Sequence, residues 1–333
     1  MKAAILKNQQ LIETRPLQLG EFPKPKPQPD EVLIRVSACG VCRTDLHIIE
    51  GDLPVTHFPL VPGHQIVGKI VESGSSCVRF KIGDRIGIPW LRKVCGTCPY
   101  CVNGRENLCD SSQYTGYHAN GGYAEFATVP EDFAYPIPEN LTDEQAAPLL
   151  CAGIIGYRAF KKSSSHLGGK LGIFGFGSSA HIIIQIALHK EREVFVISRG
   201  EKHRKLAEEL GARWVGRSAE LLPVKLDSAI VFAPAGEVVP AALKSVDKGG
   251  TVVLAGIHLT DIPALSYEEH LFHEKKLVSV ESNTRQDGNE LFQEAAGIKL
   301  IPYTTSFPLS EANEALIKLK QDEITGTAVL KIQ

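Results

Sequence analysis

The sequence predicts an α/β chain of two domains, a β-rich part up to about Leu150 and a doubly wound parallel sheet beyond it. Three observations lead there. The chain has 333 residues, more than one hydrophobic core usually organises. Its first part breaks into short apolar runs, "EVLIRVSA", "QIVGKIVES" and "DRIGIP", separated by Gly and Pro as strands are by turns. From Gly169 the texture changes to strands alternating with helical patterns: "KLGIFGF", "SSAHIIIQIALHK", "EVFVIS", "EKHRKLAEELGA". "SAIVFA", "GTVVLAG" and "LVSVES" continue the series, and such alternation implies a parallel sheet covered on both faces.

Composition narrows the function classes. With 43% hydrophobic and 22% charged residues the chain reads as a soluble globular protein. A net charge of -2 supplies no electrostatic reason for nucleic acid or an anionic membrane as partner. "MKAAILKNQQ" lacks the apolar run of a signal peptide, and no segment approaches the roughly 20 apolar residues of a membrane span. A cytoplasmic location is expected, where eight cysteines point to metal or catalysis rather than a disulfide framework.

Along the first domain, "FPKPKPQPDE" reads as a stiff extended connection before a strand at Val32 to Val36. "ACGVCRTDLH", Ala38 to His47, holds a C-x-x-C pair that suits a redox disulfide or half of a metal site. "CGTCPYCVNGRENLC" places thiols at Cys95, Cys98, Cys101 and Cys109. Four thiolates make a closed tetrahedral site for a structural zinc, with redox or iron–sulfur use as the alternative.

In the second domain, "KLGIFGFGSSAH" sets Gly175, Gly177 and Ala180 at G-x-G-x-x-A spacing between a strand and a helix. Gly175 allows the tight turn, Gly177 the approach of a pyrophosphate, and Ala180 close helix–sheet packing. At the end of the next strand an NAD site usually offers a carboxylate to the ribose 2′-hydroxyl. Here Ser198 and Arg199 stand instead, with Lys202 and His203 nearby, which favours NADP(H) over NAD(H). The helix "SEANEALIKLKQ" and the strand "TAVLKI" near the C-terminus are expected to return to the first domain.

"CGVCRTDLH", "PGHQIVG", the four-cysteine lobe, "APLLCAGIIGYRA" and "GIFGFGSSAH" together resemble the zinc-dependent medium-chain alcohol dehydrogenases of the bacterial, two-zinc type, over nearly the whole chain. The resemblance implies a GroES-like catalytic domain at residues 1–151 and 286–333, with a zinc lobe at about 91–110, and a Rossmann domain at 152–285. It implies reversible oxidation of an alcohol to an aldehyde or ketone with NAD(P)(H), two zinc ions per chain and a homo-oligomer, a tetramer sooner than a dimer.

Carried over by resemblance, the catalytic zinc falls to Cys42, His64 and Cys151, the two-Cys, one-His set known for that family. Three protein ligands leave a fourth position where an alcohol becomes more acidic. Thr44 and His47 form the proton relay, Asp45 orients His64, Arg43 and Arg285 approach the cofactor pyrophosphate, and Trp90 walls the substrate pocket. Cys39 and Cys77 are expected as small buried residues. Two departures stand out. Gln65 replaces the Glu that many relatives carry after the histidine, and Leu53 a tryptophan of some small-alcohol enzymes. The rival readings are a polyol or other secondary-alcohol dehydrogenase of the same superfamily, and a non-catalytic NAD(P)H-binding regulator.

Overall fold

A computed structural model describes residues 1–163, 168–217 and 222–332. The chain forms two compact units, Met1–Ala152 with Ser282–Gln333, and Gly153–Glu281. The first is built on a mixed sheet whose strands run in the order Thr304–Pro308, Thr327–Lys331, Glu31–Val41, Gln65–Ser73, Arg85–Ile88 and Tyr135–Pro136, with Phe126–Pro130 also on Glu31–Val41. The prolines of "FPKPKPQP" lie in the extended run before Glu31, where missing N–H groups cost no ladder bonds.

Glu31–Val41 organises this unit. It pairs antiparallel with three strands, and its register shifts at Leu33/Ile34 and again at Val36/Ala38. Such bulges bend a strand and re-aim the side chains beyond them. Ile34, Val36 and Cys39 enter a core shared with Ile48, Ile66, Ile86, Tyr123 and Leu330. The C-terminal helix Ala312–Lys320 and strand Thr327–Lys331 do return here, with Leu330 opposite Cys39 and Val329 opposite Gly40.

The second unit carries a parallel sheet of six strands in the order Trp214–Gly216, Glu193–Ile197, Lys170–Phe174, Leu226–Val231, Val246–Leu254 and Lys276–Ser279. The first strand in sequence sits third in space, so the order reverses beside it, and that switch point is where doubly wound sheets bind ligands. Strand Trp214–Gly216 carries no strong sequence signal, being only three residues long. The sheet interior, Leu171, Ile173, Val194, Val196, Ile230 and Val252, is fully buried, as continuous β-branched and aliphatic runs require. No helix is long and apolar enough to cross a membrane among the described residues.

The chain returns to the first unit at Ser282, before Arg285 rather than after it. Thr284 caps helix Arg285–Gly297 through Asp287 N–H, and Asp287 Oδ2 accepts from Thr284 N and Oγ1 at 2.9 and 2.8 Å. Arg285 is anchored to Glu106 of the first unit.

Close backbone approach shapes the loop that ends in His64. A Cβ on Gly121 would lie 1.9 Å from the Gly63 carbonyl oxygen, and Gly121 N–H donates to Val61 O at 2.7 Å. Backbone cannot yield as a flexible side chain can. Gly121→Ala is therefore expected to destabilise the first unit by more than about 2 kcal/mol, read by urea unfolding, and to weaken metal retention with it. A variant of unchanged stability would show that this contact is not a constraint.

Candidate functional site

Cys42 ends the long strand's path in extended conformation and caps helix Arg43–Glu50. Asp45 sets that geometry. Its Oδ2 accepts the Cys42 backbone N–H at 2.9 Å and the Tyr123 hydroxyl at 3.1 Å, while Oδ1 faces His64 Nδ1 at 3.0 Å. Asp45, His64 and Tyr123 are wholly buried. With Nδ1–H donated to Asp45, the neutral ring turns the lone pair of Nε2 the other way. Among the described residues, the buried Nε2 has no hydrogen-bond partner. It lies among the thiols of Cys42 and Cys151, and the three ligand atoms are all within 4.8 Å of one another.

An orphaned buried nitrogen beside two thiols costs about 1–3 kcal/mol unless something accepts its lone pair. The charges favour a cation. Cys42 is held well below the ordinary thiol range, chiefly by a hydrogen bond from Cys151 that outweighs burial, with His64 assisting. Cys151 is pushed up by the same bond and by burial. For His64, burial opposes the charged form, yet Asp45 and Cys42 outweigh it and raise the pKa to about 10. A divalent ion in place of that proton would let both thiols ionise and give Nε2 its partner. The donor set fits zinc.

The other expected groups surround this trio. Thr44 is buried, its Oγ1 3.6 Å from Cys42 Sγ. His47 Nδ1 lies 2.7 Å from Asp52 Oδ2, an orienting carboxylate that the sequence reading did not single out. Trp90 is half-buried and packs edge-on against the His64 ring, with centroids 4.9 Å apart. Tyr114 stacks on Trp90 at 4.6 Å and Tyr117 lies at 6.1 Å. Both tyrosines escaped notice, although "YTGYH" packs three rings into five residues. Gln65 is fully buried, and among the described residues neither polar atom of its amide has a partner.

Cys39 is a core residue, as expected, its thiol pushed up by burial. Its sulfur is only 3.0 Å from where a Cβ on Gly63 or Gly122 would sit. Cys77 differs from expectation: it lies half-exposed at a turn, its sulfur 3.2 Å from Glu31 O, because Gly74 turns the chain at the sheet margin.

Cys95, Cys98, Cys101 and Cys109 form a second group, also with ligand atoms within 4.8 Å of one another. Backbone N–H groups of Thr97 and Cys98 pull Cys95 down to about 6. Cys101 goes up to about 12 through desolvation and its hydrogen bond with Cys98. Four sulfurs so close cannot all ionise without a cation between them.

Arg285, expected near the cofactor pyrophosphate, is engaged within the first unit. Its Nε and Nη2 grip Glu106 just before Cys109 at 2.7–3.1 Å, and its backbone N–H donates to the same carboxylate at 2.7 Å. Phe133 covers the guanidinium face at 4.7 Å. The fork geometry that suits a phosphate is spent on a carboxylate, which ties the cysteine lobe to helix Arg285–Gly297. Arg43 makes a surface contact with Asp322 at 3.9 Å.

In the second unit Gly175 adopts φ 87°, where a Cβ would meet Ala233 N at 2.7 Å. Gly177 caps helix Ser178–His189, and a Cβ there would meet nothing within 4 Å, the open backbone approach that a pyrophosphate needs. Ala180 is fully buried. His181, one turn into the helix, is lowered to about 4, mainly by burial. Ser198 is buried at the next strand's end, and Arg199 is exposed.

Comparison with known proteins agrees with this arrangement. Residues 28–139 match the family described as alcohol dehydrogenase GroES-like domain, and residues 180–297 match zinc-binding dehydrogenase. A protein named "Probable alcohol dehydrogenase AdhA" of Mycobacterium tuberculosis is 50% identical over 96% of this chain and 94% of its own. An alcohol dehydrogenase of Geobacillus stearothermophilus is 37% identical over 100% of both. Among solved structures, acetophenone reductase from Geotrichum candidum in complex with NAD superposes with a TM-score of 0.88, at 26% identity, over 99% of this chain and 97% of that one.

The contacts at the two sulfur groups lead to two expected outcomes. Asp45→Ala strips the acceptor from three buried donors and is expected to lower metal affinity roughly 10–100-fold, measured by chelator competition; unchanged affinity would exclude the orienting role. Glu106→Ala should destabilise the first unit by about 2 kcal/mol, and a double-mutant cycle with Arg285→Ala should return a coupling of about 1 kcal/mol or more. Simple additivity in that cycle would dissolve the latch.

Proposed function

The chain belongs to the zinc-binding alcohol dehydrogenases with a GroES-like domain, and on that premise we propose a zinc-dependent enzyme that moves hydride between a small alcohol and NADP(H). The carrying observation is His64 Nε2, buried without a hydrogen-bond partner among the described residues and close to two thiols while Asp45 holds its other nitrogen. Cys42, His64 and Cys151 would hold the catalytic zinc, and Cys95, Cys98, Cys101 and Cys109 a structural one. Zinc on two thiolates and a neutral imidazole supplies a Lewis acid with an open position, which acidifies an alcohol hydroxyl.

The protein's own residues then have defined tasks. Thr44, whose hydroxyl both accepts and donates, would take the proton of the alcohol, and a bound nicotinamide would supply the hydride acceptor. His47 would release the proton to solvent, and Asp52 fixes the His47 ring by its 2.7 Å contact with Nδ1. Asp45 keeps His64 in the tautomer that presents Nε2 outward. Trp90, backed by Tyr114 and Tyr117, gives a flat apolar wall beside His64, suited to the carbon skeleton of the substrate. Gln65 replaces a charged neighbour with a neutral amide and so leaves the site one negative charge poorer.

On the cofactor side, Gly175, Gly177 and Ala180 would form the pyrophosphate turn. Ser198 and Arg199 offer a hydroxyl and a guanidinium where a carboxylate would repel a 2′-phosphate. The proposal includes a cytoplasmic homo-tetramer, in line with the reduced thiols both zinc sites require.

Metal analysis of the purified protein is expected to find two zinc ions per chain, one for each sulfur-containing group; a single ion would sink the catalytic assignment. Cys42→Ser should abolish turnover and Cys39→Ser should leave it within a few-fold, whereas loss in the latter would point back to a redox pair. Initial rates with Arg199→Ala and Ser198→Asp should shift preference from NADPH towards NADH by about tenfold or more. An unmoved ratio would refute the NADP(H) reading.

A further inference from the structure

Tyr123 brings a hydroxyl into the buried centre of the first unit, where packing alone would be served by a phenyl ring. The ring is fully buried and lies against Gly63, where a Cβ would come within 2.4 Å of Tyr123 Cδ1. Gly63 is the residue before His64. The backbone that carries the ring is fixed as well, since Tyr123 N–H donates to Pro62 O at 3.0 Å and Ala4 N–H donates to Tyr123 O at 2.8 Å. The hydroxyl therefore reaches Asp45 from a rigid support.

It meets a carboxylate that is already engaged. Asp45 Oδ2 accepts from Tyr123 Oη at 3.1 Å and from Cys42 N–H at 2.9 Å, while Oδ1 faces His64 Nδ1 at 3.0 Å. Two donors fill the two lone pairs of one carboxylate oxygen, so the group cannot turn about either bond alone. With Cys42 N–H as its sole donor, Oδ2 would become a pivot about which Oδ1 could leave the imidazole. Burial, with the charge of Asp45 adding to it, pushes the phenol well above its ordinary value, and the hydroxyl keeps its proton as a donor.

We propose that Tyr123 is a positioning residue for the metal held by Cys42, His64 and Cys151: its hydroxyl locks the Asp45 carboxylate in the orientation that keeps His64 Nε2 beside the two thiols. The proposal rests on assigning zinc to those three residues and adds the group that steadies their orienting carboxylate. Ring and hydroxyl have separate tasks. The ring packs the loop before His64, which phenylalanine would do equally, whereas only the hydroxyl can hold Asp45. A further donor also offsets part of the cost of burying the carboxylate charge. Partners that orient a ligating histidine typically affect metal affinity by roughly 10–100-fold, and a contact one step further out belongs at the lower end of that range.

The test follows zinc release from the intact, zinc-loaded protein into an excess of chromogenic chelator. Wild type should release two ions, one from each sulfur-containing group, and Cys42→Ser should lack one of them, which identifies the ion at Cys42, His64 and Cys151. A single ion in wild type, or both ions retained in Cys42→Ser, would overturn the zinc assignment and the proposal with it. Given two sites, Tyr123→Phe is expected to speed release from the Cys42 site by about tenfold while release from Cys95, Cys98, Cys101 and Cys109 stays unchanged. Equal release from the Cys42 site in variant and wild type would overturn the positioning role alone. So would acceleration at both sites alike, which would make the hydroxyl a contributor to general stability. Co(II) exchanged into the Cys42 site reads ligand geometry directly: its visible bands should shift in Tyr123→Phe, and bands identical to wild type would overturn the proposal.

Discussion

Asp45 carries a carboxylate at a point where none of it reaches water, and the first unit is arranged around satisfying it. Three donors converge on its two oxygens: the Cys42 backbone, the His64 ring and the Tyr123 hydroxyl. Each comes from a different stretch of chain, so one charge draws the start of helix Arg43–Glu50, the loop after Pro62 and the loop before Ala124 into one geometry. A buried charge is costly unless fully paired. The pairing explains why His64 can point a free nitrogen at two thiols without the ring turning away.

The close contacts of glycine around this point belong to the same constraint. Gly63, Gly121 and Gly122 let the loops on either side of Tyr123 meet with no side chain between them, and Cys39 fills what space remains. This is a reason for Cys39 that has nothing to do with its reactivity. The C-x-x-C pair thus separates into a ligand candidate at the helix cap and a packing residue in the strand. The register shift between Val36 and Ala38 lies between the straight part of that strand and its last turn towards Cys42.

The cysteine lobe and the return segment form a second knot. Arg285 carries a fork that could hold a phosphate, yet Glu106 takes its Nε and Nη2. A guanidinium donates to whichever anion the fold places nearest, and sequence position does not say which.

Much of the protein was legible in the residues alone. Alternating strand and helix patterns after Gly169 determined the parallel sheet, because a strand buried on both faces must be apolar along its length. Closely spaced thiols at 95–109 and glycines at 175 and 177 determined a four-thiol cluster and an open turn before a helix, since their chemistry is local to a few residues. The grouping of Cys42, His64 and Cys151 was legible only through resemblance, as nothing in their spacing brings them together. The partners of these groups came from tertiary structure: Asp52 on His47, Tyr123 on Asp45, Tyr114 behind Trp90 and Glu106 on Arg285. Hydrogen bonds and ring stacking act over a few ångströms of space, and only folding decides which distant residues come that close.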